Sequence, residues 1–467
     1  MEILELMRSE IMLTLGIMML LIATLSDAKW SNQTMMTVVN IGLLGLLAVG
    51  FIFNKSGSLF GDMFATNDLL RLEKNILTLG TLIISLQAGP WLRKQENAME
   101  FYLLLLTTLL GMFLMLSAGN LLMFYLGLEM STLPIAALAN FDLKKRRSSE
   151  AALKLILSSA FASGMLLFGI SWLYGTTGSI SFALLPGLLT GSPLQLFALI
   201  LLIAGFGFKI SAVPFHLWTA DVYEGAPMPV TAYLSVVSKG AVLFVLVSVL
   251  FKVFGSLENA WYAIIVTLSI ATMLIGNLFA LRQQQIKRFL AFSSVAQIGF
   301  ILLAISGGTV QSTTATIFFV LVYLFSNLAA FGVAGLISEA TGREQLADYK
   351  GLHRSNPALA WMMALAMFSL AGVPPMAGFF GKFFLIIAGA SKGNWFFIVF
   401  ASLNIIIAMA YYLRLVRLMF MDTTDNPVVK INIPLQSRLA LLLCTGGILL
   451  TGIFSGAYEY IYSLVSN

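Results

Sequence analysis

The stretch GFGFKISAVPFHLWTADVYEGAPMP, Gly205 to Pro229, breaks an apolar run with glycine and proline and sets Lys209 beside the break. An ammonium so far from either end of an apolar segment needs a reason. The 467 residues are 59% hydrophobic and only 10% charged, whereas an ordinary soluble domain carries about 25% charged residues. Apolar runs of about 18 to 25 residues recur, each long enough to cross a hydrocarbon core about 30 Å thick as a helix. The expected fold class is therefore an all-α polytopic membrane protein, with no room for a separate soluble domain.

Hydropathy predicts about fourteen spans, at roughly 11–25, 35–53, 72–88, 101–118, 120–138, 151–174, 196–222, 228–252, 260–281, 289–306, 313–338, 357–390, 395–420 and 437–463. The acid-rich start, MEILELMRSE, is unlike a basic secretory signal, so the first span is expected to be retained. The loop DLKKRRSSE (142–150), the group Arg282, Lys287 and Arg288, and the group Arg414, Arg417, Lys430 and Arg438 all follow odd-numbered spans. The uncharged loops GTTGSISFALLPGLLTGSP and SGGTVQST follow even-numbered ones. The positive-inside rule then puts the basic loops in the cytoplasm and both termini outside. The mixed charges between Lys55 and Lys74 fit this pattern less cleanly. A net charge of +6 held mainly in short loops suits membrane orientation better than nucleic-acid binding.

The twelfth span contains SLAGVPPMAGFFGKFF (369–384), Gly/Pro-broken like the seventh and also carrying one lysine, Lys382. Broken segments at corresponding positions of two halves are a transporter signature, with the ion site near the breaks. Five spans separate them, and five is odd, so the copies must be inverted. The expected organisation is a three-helix segment 1–98, repeats at 99–255 (helices 4–8) and 256–425 (helices 9–13) with helices 7 and 12 broken, and a last helix at 426–467.

Glu129, Lys209 and Lys239 fall near the middles of spans 5, 7 and 8, which at about 1.5 Å per residue is one depth, the bilayer midplane. Ionisable groups there are expensive and normally face a partner or water inside the bundle. The plainer alternative is an ion pair that fastens helices, with lone lysines snorkelling to the interface; Lys154, near the end of span 6, fits it. Mid-span Lys239 cannot reach either interface. Burial disfavours a charged lysine and a nearby carboxylate favours it, so the distance to Glu129 is expected to switch the proton on and off Lys209. His216, Asp221 and Glu224 are expected at the cytoplasmic end of span 7, as a proton intake or as a polar cap beside Trp218 and Tyr223.

With one cysteine, Cys444, and two distant histidines, His216 and His353, the chain has no thiolate set for an iron–sulfur cluster, and a haem has no spacing to recommend it. Neither GxxxxGK[ST] nor GxGxxG is present, so no nucleotide site is indicated and no metal or cofactor ligand set is expected.

The segments GLEMSTLP (127–134), SSEAALKLILSSAFASG (148–164), TADVYEGAPMPVTAYLSVVSKGA (219–241), IKRFLAFSSVAQIGF (286–300), YLFSNLAAFGV (323–333) and LAGVPPMAGFFGKFF (370–384) occur in order. Together they resemble the subunit N family of bacterial NADH-quinone oxidoreductase, respiratory complex I, an antiporter-like family with mitochondrial and Mrp-type cation/proton antiporter relatives. The match covers about 100–420. The resemblance implies fourteen helices with two inverted five-helix repeats in the bacterial inner membrane. It also implies a hydrated proton path through Glu129, Lys154, Lys209, Lys239 and Lys382. By the same resemblance NADH, FMN, iron–sulfur clusters and quinone are held elsewhere in the complex. The implied partners are the antiporter-like subunit M, the small subunits J and K and the lateral helix of subunit L. Gln297 stands where many relatives have histidine, and span 13 offers Asn404 but no mid-span charge, so the second half would rely on Lys382 and water. Other readings are an Mrp-type antiporter or membrane-bound hydrogenase subunit, an inert scaffold, and a quinone-binding role. DVYEGAP and YLFSNLAAFGV favour the first-named family.

Overall fold

The computed structural model describes residues 2–26, 30–53 and 55–466. In lipid a helix pairs its own backbone groups, and the described chain is helical almost throughout. The chain begins with α1 (Glu2–Leu6), α2 (Arg8–Leu25) and α3 (Asn32–Ile52), then strands β1 (Gly57–Leu59) and β2 (Phe64–Thr66). Next come α4 (Asp68–Leu92), α5 (Ala98–Leu116), α6 (Leu121–Ala139), α7 (Arg146–Thr177), the short α8 (Leu185–Leu188), α9 (Pro193–Ile210) and α10 (Leu217–Gly225). Helices α11 (Met228–Tyr233) and α12 (Lys239–Ser248) form one continuous rod, joined by a π-helical turn at Leu234–Ser238 and ending in another at Val249–Val253. The rest are α13 (Glu258–Arg282), α14 (Ile286–Ile305), α15 (Val310–Thr341), α16 (Leu352–Ser355), α17 (Pro357–Ala371), α18 (Ala377–Ala390), α19 (Trp395–Phe420), α20 (Leu435–Ile453) and α21 (Gly456–Ser466).

Twelve helical stretches among the described residues are long and apolar enough to cross a membrane, and α17 and α18 are shorter apolar helices. Of the other expected spans, the third corresponds to α4 and the twelfth to the pair α17 and α18. Helices α14 and α15 are buried on nearly every side and form the centre of the molecule. Peripheral helices such as α2 and α7 keep Leu15, Ile22, Leu157 and Phe161 exposed. Those exposed apolar faces suit lipid contact.

Two departures from the sequence reading concern regular structure. The all-α expectation misses an antiparallel hairpin with Gly57 opposite Thr66, Ser58 opposite Ala65 and Leu59 opposite Phe64. Its turn holds Phe60, Gly61 and Asp62 at positive φ, a local chemistry that hydropathy does not see. The single last span, 437–463, is instead α20 and α21, because Phe454 adopts an extended conformation before Ser455 and Gly456.

The hairpin settles how the first helices are arranged. Phe64 bridges to Ala118 and Asn120 to Ser181, so the segment around residue 60 shares an end with the uncharged loop at 178–192. Lys55 pairs with Glu5 at that end. Helix α4 runs inward from there and is buried almost throughout, including Arg71, Glu73 and Lys74. Lys74 donates to Glu10 of α2 at 2.5 Å, and both side chains are no more than 4% exposed. This buried pair pins α2 to the core. Lys74→Met alone should leave Glu10 unpaired and destabilise the N-terminal segment by about 3–5 kcal/mol. Glu10→Leu with Lys74→Met should recover most of that. Thermal unfolding of the detergent-solubilised protein checks both, and equal loss in the single and double variants would refute the pairing argument.

Candidate functional site

A helix ends with four backbone carbonyls lacking intrahelical donors. Two helices here end inside the bundle rather than at its rim, and each end receives a lysine. Helix α9 stops at Ile210 because Ser211 turns left-handed (φ 64°), and Lys209 lies in its last turn. Helix α17 stops at Ala371 because Gly372 turns left-handed (φ 85°). Lys382 reaches back from α18 to donate to the Leu370 carbonyl at 2.7 Å and the Ala371 carbonyl at 3.3 Å. A cation at a helix C-terminus is also favoured by the helix dipole. Thus Lys382 caps the carbonyls of its break, whereas at the end of α9 the Phe208 carbonyl accepts from Trp218 Nε1 and the Gly207 carbonyl from Ala212 N–H.

Around Lys209 the expected pair is present. The Lys209 Nζ lies 3.8 Å from Glu129 Oε1, with the side chains 8% and 23% exposed. It donates to Ser159 Oγ at 2.7 Å and Thr132 Oγ1 at 3.0 Å, while Ser163 Oγ donates to Glu129 Oε1 at 2.5 Å. Ser159 and Ser163 are four residues apart on α7, so one helix face offers a hydroxyl to each partner. Lys239, 1% exposed, has a different environment: it donates to Ser294 Oγ of α14 at 2.7 Å and sits 5.4 Å from the Tyr223 ring centroid. Among the described residues no carboxylate pairs with it.

Gln297 lies three residues after Ser294 on α14, on the same side of the helix. Its Nε2 donates to the Leu370 carbonyl and to Tyr412 Oη, each at 3.1 Å, so Gln297 and Lys382 share one acceptor. Its Oε1 is buried without a partner. Asn404 accepts from Asn277 at 3.0 Å, and Tyr411 donates to Asn277. A polar thread therefore runs from Lys239 by Ser294 and Gln297 of α14 to Lys382, and Glu129 with Lys209 forms a separate polar group.

Lys154 does not join this thread. Helix α7 begins at Arg146, two turns before it, and the Lys154 ammonium binds Asp221 at 2.7 Å and Glu150 at 2.8 Å with the side chain 40% exposed. Arg288 joins Asp221 at 2.8 Å and Glu224 at 2.9 Å. His216 belongs to the break before α10 rather than to the Asp221–Glu224 group, and its Nδ1 is buried without a partner. Beside that group a cavity of about 250 Å³ is lined by Asp142, Arg147, Glu224, Lys287 and Glu344. The hydroxyls at 132, 159, 163 and 294 and Tyr412 escape the sequence reading. Their only advance signal is a serine pair or a tyrosine inside an otherwise apolar run.

The second break is held by a backbone contact. A Cβ on Gly378 would lie 1.7 Å from the Ser369 carbonyl oxygen, and Gly378 N–H donates to Ser369 Oγ at 3.1 Å. Backbone cannot retreat as a side-chain tip can. Gly378→Ala should therefore push α18 from α17 and destabilise the protein by about 1–3 kcal/mol or more, whereas Ser369→Ala should cost about 1 kcal/mol. Melting of the two purified variants checks the order, and a harmless Gly378→Ala would mean that the break is not closed by that contact.

Residues 118–408 match the family described as NADH:quinone oxidoreductase/Mrp antiporter membrane region. The chain is 45% identical over 421 residues to NADH-quinone oxidoreductase subunit N of Phocaeicola vulgatus, covering 89% of each chain. Against the same subunit of Azobacteroides pseudotrichonymphae it is 46% identical over 458 residues, covering 96% of this chain and 95% of the other. Among solved structures, a chain of respiratory complex I from Thermus thermophilus with bound aureothin superposes with a TM-score of 0.82 at 30% identity, covering 96% and 97%. The Mrp complex of a Dietzia species shares the fold, with a TM-score of 0.83 at 22% identity, covering 97% of each chain. The chain belongs to the subunit N family of NADH-quinone oxidoreductase, the proton-translocating, antiporter-like membrane subunits of respiratory complex I.

Proposed function

We propose that protons move through these buried polar groups, with Glu129 and Lys209 as a coupled pair, Lys239 as the central carrier and Lys382 as the distal one, driven by redox chemistry in other subunits. The observation that carries this is Lys239: a deeply buried ammonium with a hydroxyl acceptor and, among the described residues, no acid fastened to it. A lysine kept only to hold helices would be expected to have a fixed counter-ion. The Glu129–Lys209 contact supplies the adjustable element, since attraction between charges changes steeply with separation in a medium of low dielectric. Lys154, bound to Asp221 and Glu150, enters as the intake end rather than as a midplane station.

The finer architecture belongs to the same reading. Counting α9 with α10 and α17 with α18 as two broken crossings, the chain makes fourteen crossings. The segment 1–98 precedes two inverted repeats, 99–255 and 256–425, and 426–467 closes the chain. Three correspondences support the repeat. The third helix of each half, α7 and α15, has 32 residues. The fourth is broken in each. The first two meet through glycines: a Cβ on Gly111 or Gly127 would lie 2.5 Å from backbone across the α5–α6 seam, and on Gly276 or Gly299 2.5–2.6 Å across the α13–α14 seam.

The basic end faces the cytoplasm in this proposal, with both termini outward, in the bacterial inner membrane. NADH, FMN, iron–sulfur clusters and quinone are held by other subunits. Subunits M, J and K and the lateral helix of subunit L are the proposed neighbours.

Lys239→Ala in the whole complex is the test, read in inverted membrane vesicles with a pH-sensitive dye and a separate assay of NADH oxidation. The expected result is an assembled complex that has lost coupled pumping. An intact mutant complex that oxidises NADH and pumps normally would overturn the assignment, and failure to assemble would favour a scaffold.

A further inference from the structure

Helix α4 carries a second buried acid that the thread does not use. Glu73 is 5% exposed, and among the described residues no donor bonds its carboxylate. It lines a cavity of about 650 Å³ together with Asp68, Phe244, Ser248, Lys252 and Thr309. That space is large enough to admit water. Thr309 belongs to the uncharged loop SGGTVQST, so the cavity lies at the end of the molecule opposite the basic loops.

The inner limit of this cavity lies close to Lys239. Phe244 follows Lys239 by five residues on the same continuous helix, a rise of about 7.5 Å. Next to Lys239, a Cβ on Gly240 would lie 2.9 Å from Val320 and 3.9 Å from Leu77, so those side chains close the gap. Leu77 is one turn beyond Glu73 on α4. Leu77, Val320 and Phe244 form an apolar layer between the cavity and the stretch of helix that carries Lys239, whose ammonium rests on the α14 side of that helix, on Ser294. Lys74, the cation adjacent to Glu73 in sequence, is already engaged by Glu10. Lys252 is exposed on the cavity wall.

We propose that this cavity is the outlet to the outer face, with Glu73 as the acid that receives a proton from Lys239 and passes it to cavity water. One proton leaves the Lys239 ammonium, protonates the Glu73 carboxylate through water admitted when the apolar layer opens, and is then released; no other bond changes. The layer of Leu77, Val320 and Phe244 holds the route shut at rest. This rests on the reading of Lys239 as a proton carrier.

The experiment uses the assembled complex with the native Cys444 of this chain replaced by serine, so that Ser248→Cys supplies its one thiol. A membrane-impermeant maleimide should label Cys-substituted position 248 when added outside intact spheroplasts and not when added to inverted vesicles. Glu73→Gln should assemble yet lose pumped protons per NADH oxidised, and Glu73→Asp should restore them. Ser248→Leu, which fills the cavity without touching a charge, should produce the same loss. Labelling only from the inner side, no labelling from the outer side, or normal pumping by an assembled Glu73→Gln or Ser248→Leu complex would overturn the outlet. Normal pumping by Lys239→Ala would instead overturn the thread itself, and position 248 would still report which face the cavity serves.

Discussion

A helix that stops inside a membrane protein leaves carbonyls facing no donor, and the two breaks in this chain meet that need in different ways. Water or a side chain must answer it, since lipid cannot. At α17 the answer is explicit, with the Lys382 ammonium on the Leu370 and Ala371 carbonyls. At α9 Lys209 occupies the last turn and is steadied by Ser159, Thr132 and Glu129. At α17 the structural requirement itself brings a buried ammonium into the bundle. The other buried lysines need acceptors too, and α6, α7 and α14 supply hydroxyls to Lys209 and Lys239.

Much of this was legible in residues alone, because glycine, proline and lysine inside an apolar run are rare enough to stand out. The two breaks, the Glu129–Lys209 partnership and the burial of Lys239 and Lys382 all came from such anomalies. What was missed depends on contacts between distant segments. Glu10 and Lys74 are 64 residues apart, and Lys154 and Asp221 are 67 apart. No local pattern announces that either pair meets. Lys154 looked like a snorkelling lysine near a helix end, and it is exposed, but it is fastened by two acids. The hairpin at 57–66 escaped because its signal is turn chemistry in a segment judged by hydropathy.

Gln297 shows how an amide is held within the polar interior. Its amide joins Tyr412 to the carbonyl that Lys382 also uses, while its own oxygen remains without a partner. The position keeps its place in the hydrogen-bonded thread, but an amide does not titrate. In the second half, Lys382 is the buried lysine at that shared carbonyl.

The glycine seams have a mechanical consequence. Where α5 meets α6 and α13 meets α14, main chain rests on main chain, and there is no side chain between them to change rotamer or give way. Each half is therefore riveted at one edge. The second half carries a further rivet at its break, where Gly378 rests on the Ser369 carbonyl, so any shift of α18 must carry α17, and with it the acceptors of Lys382, along.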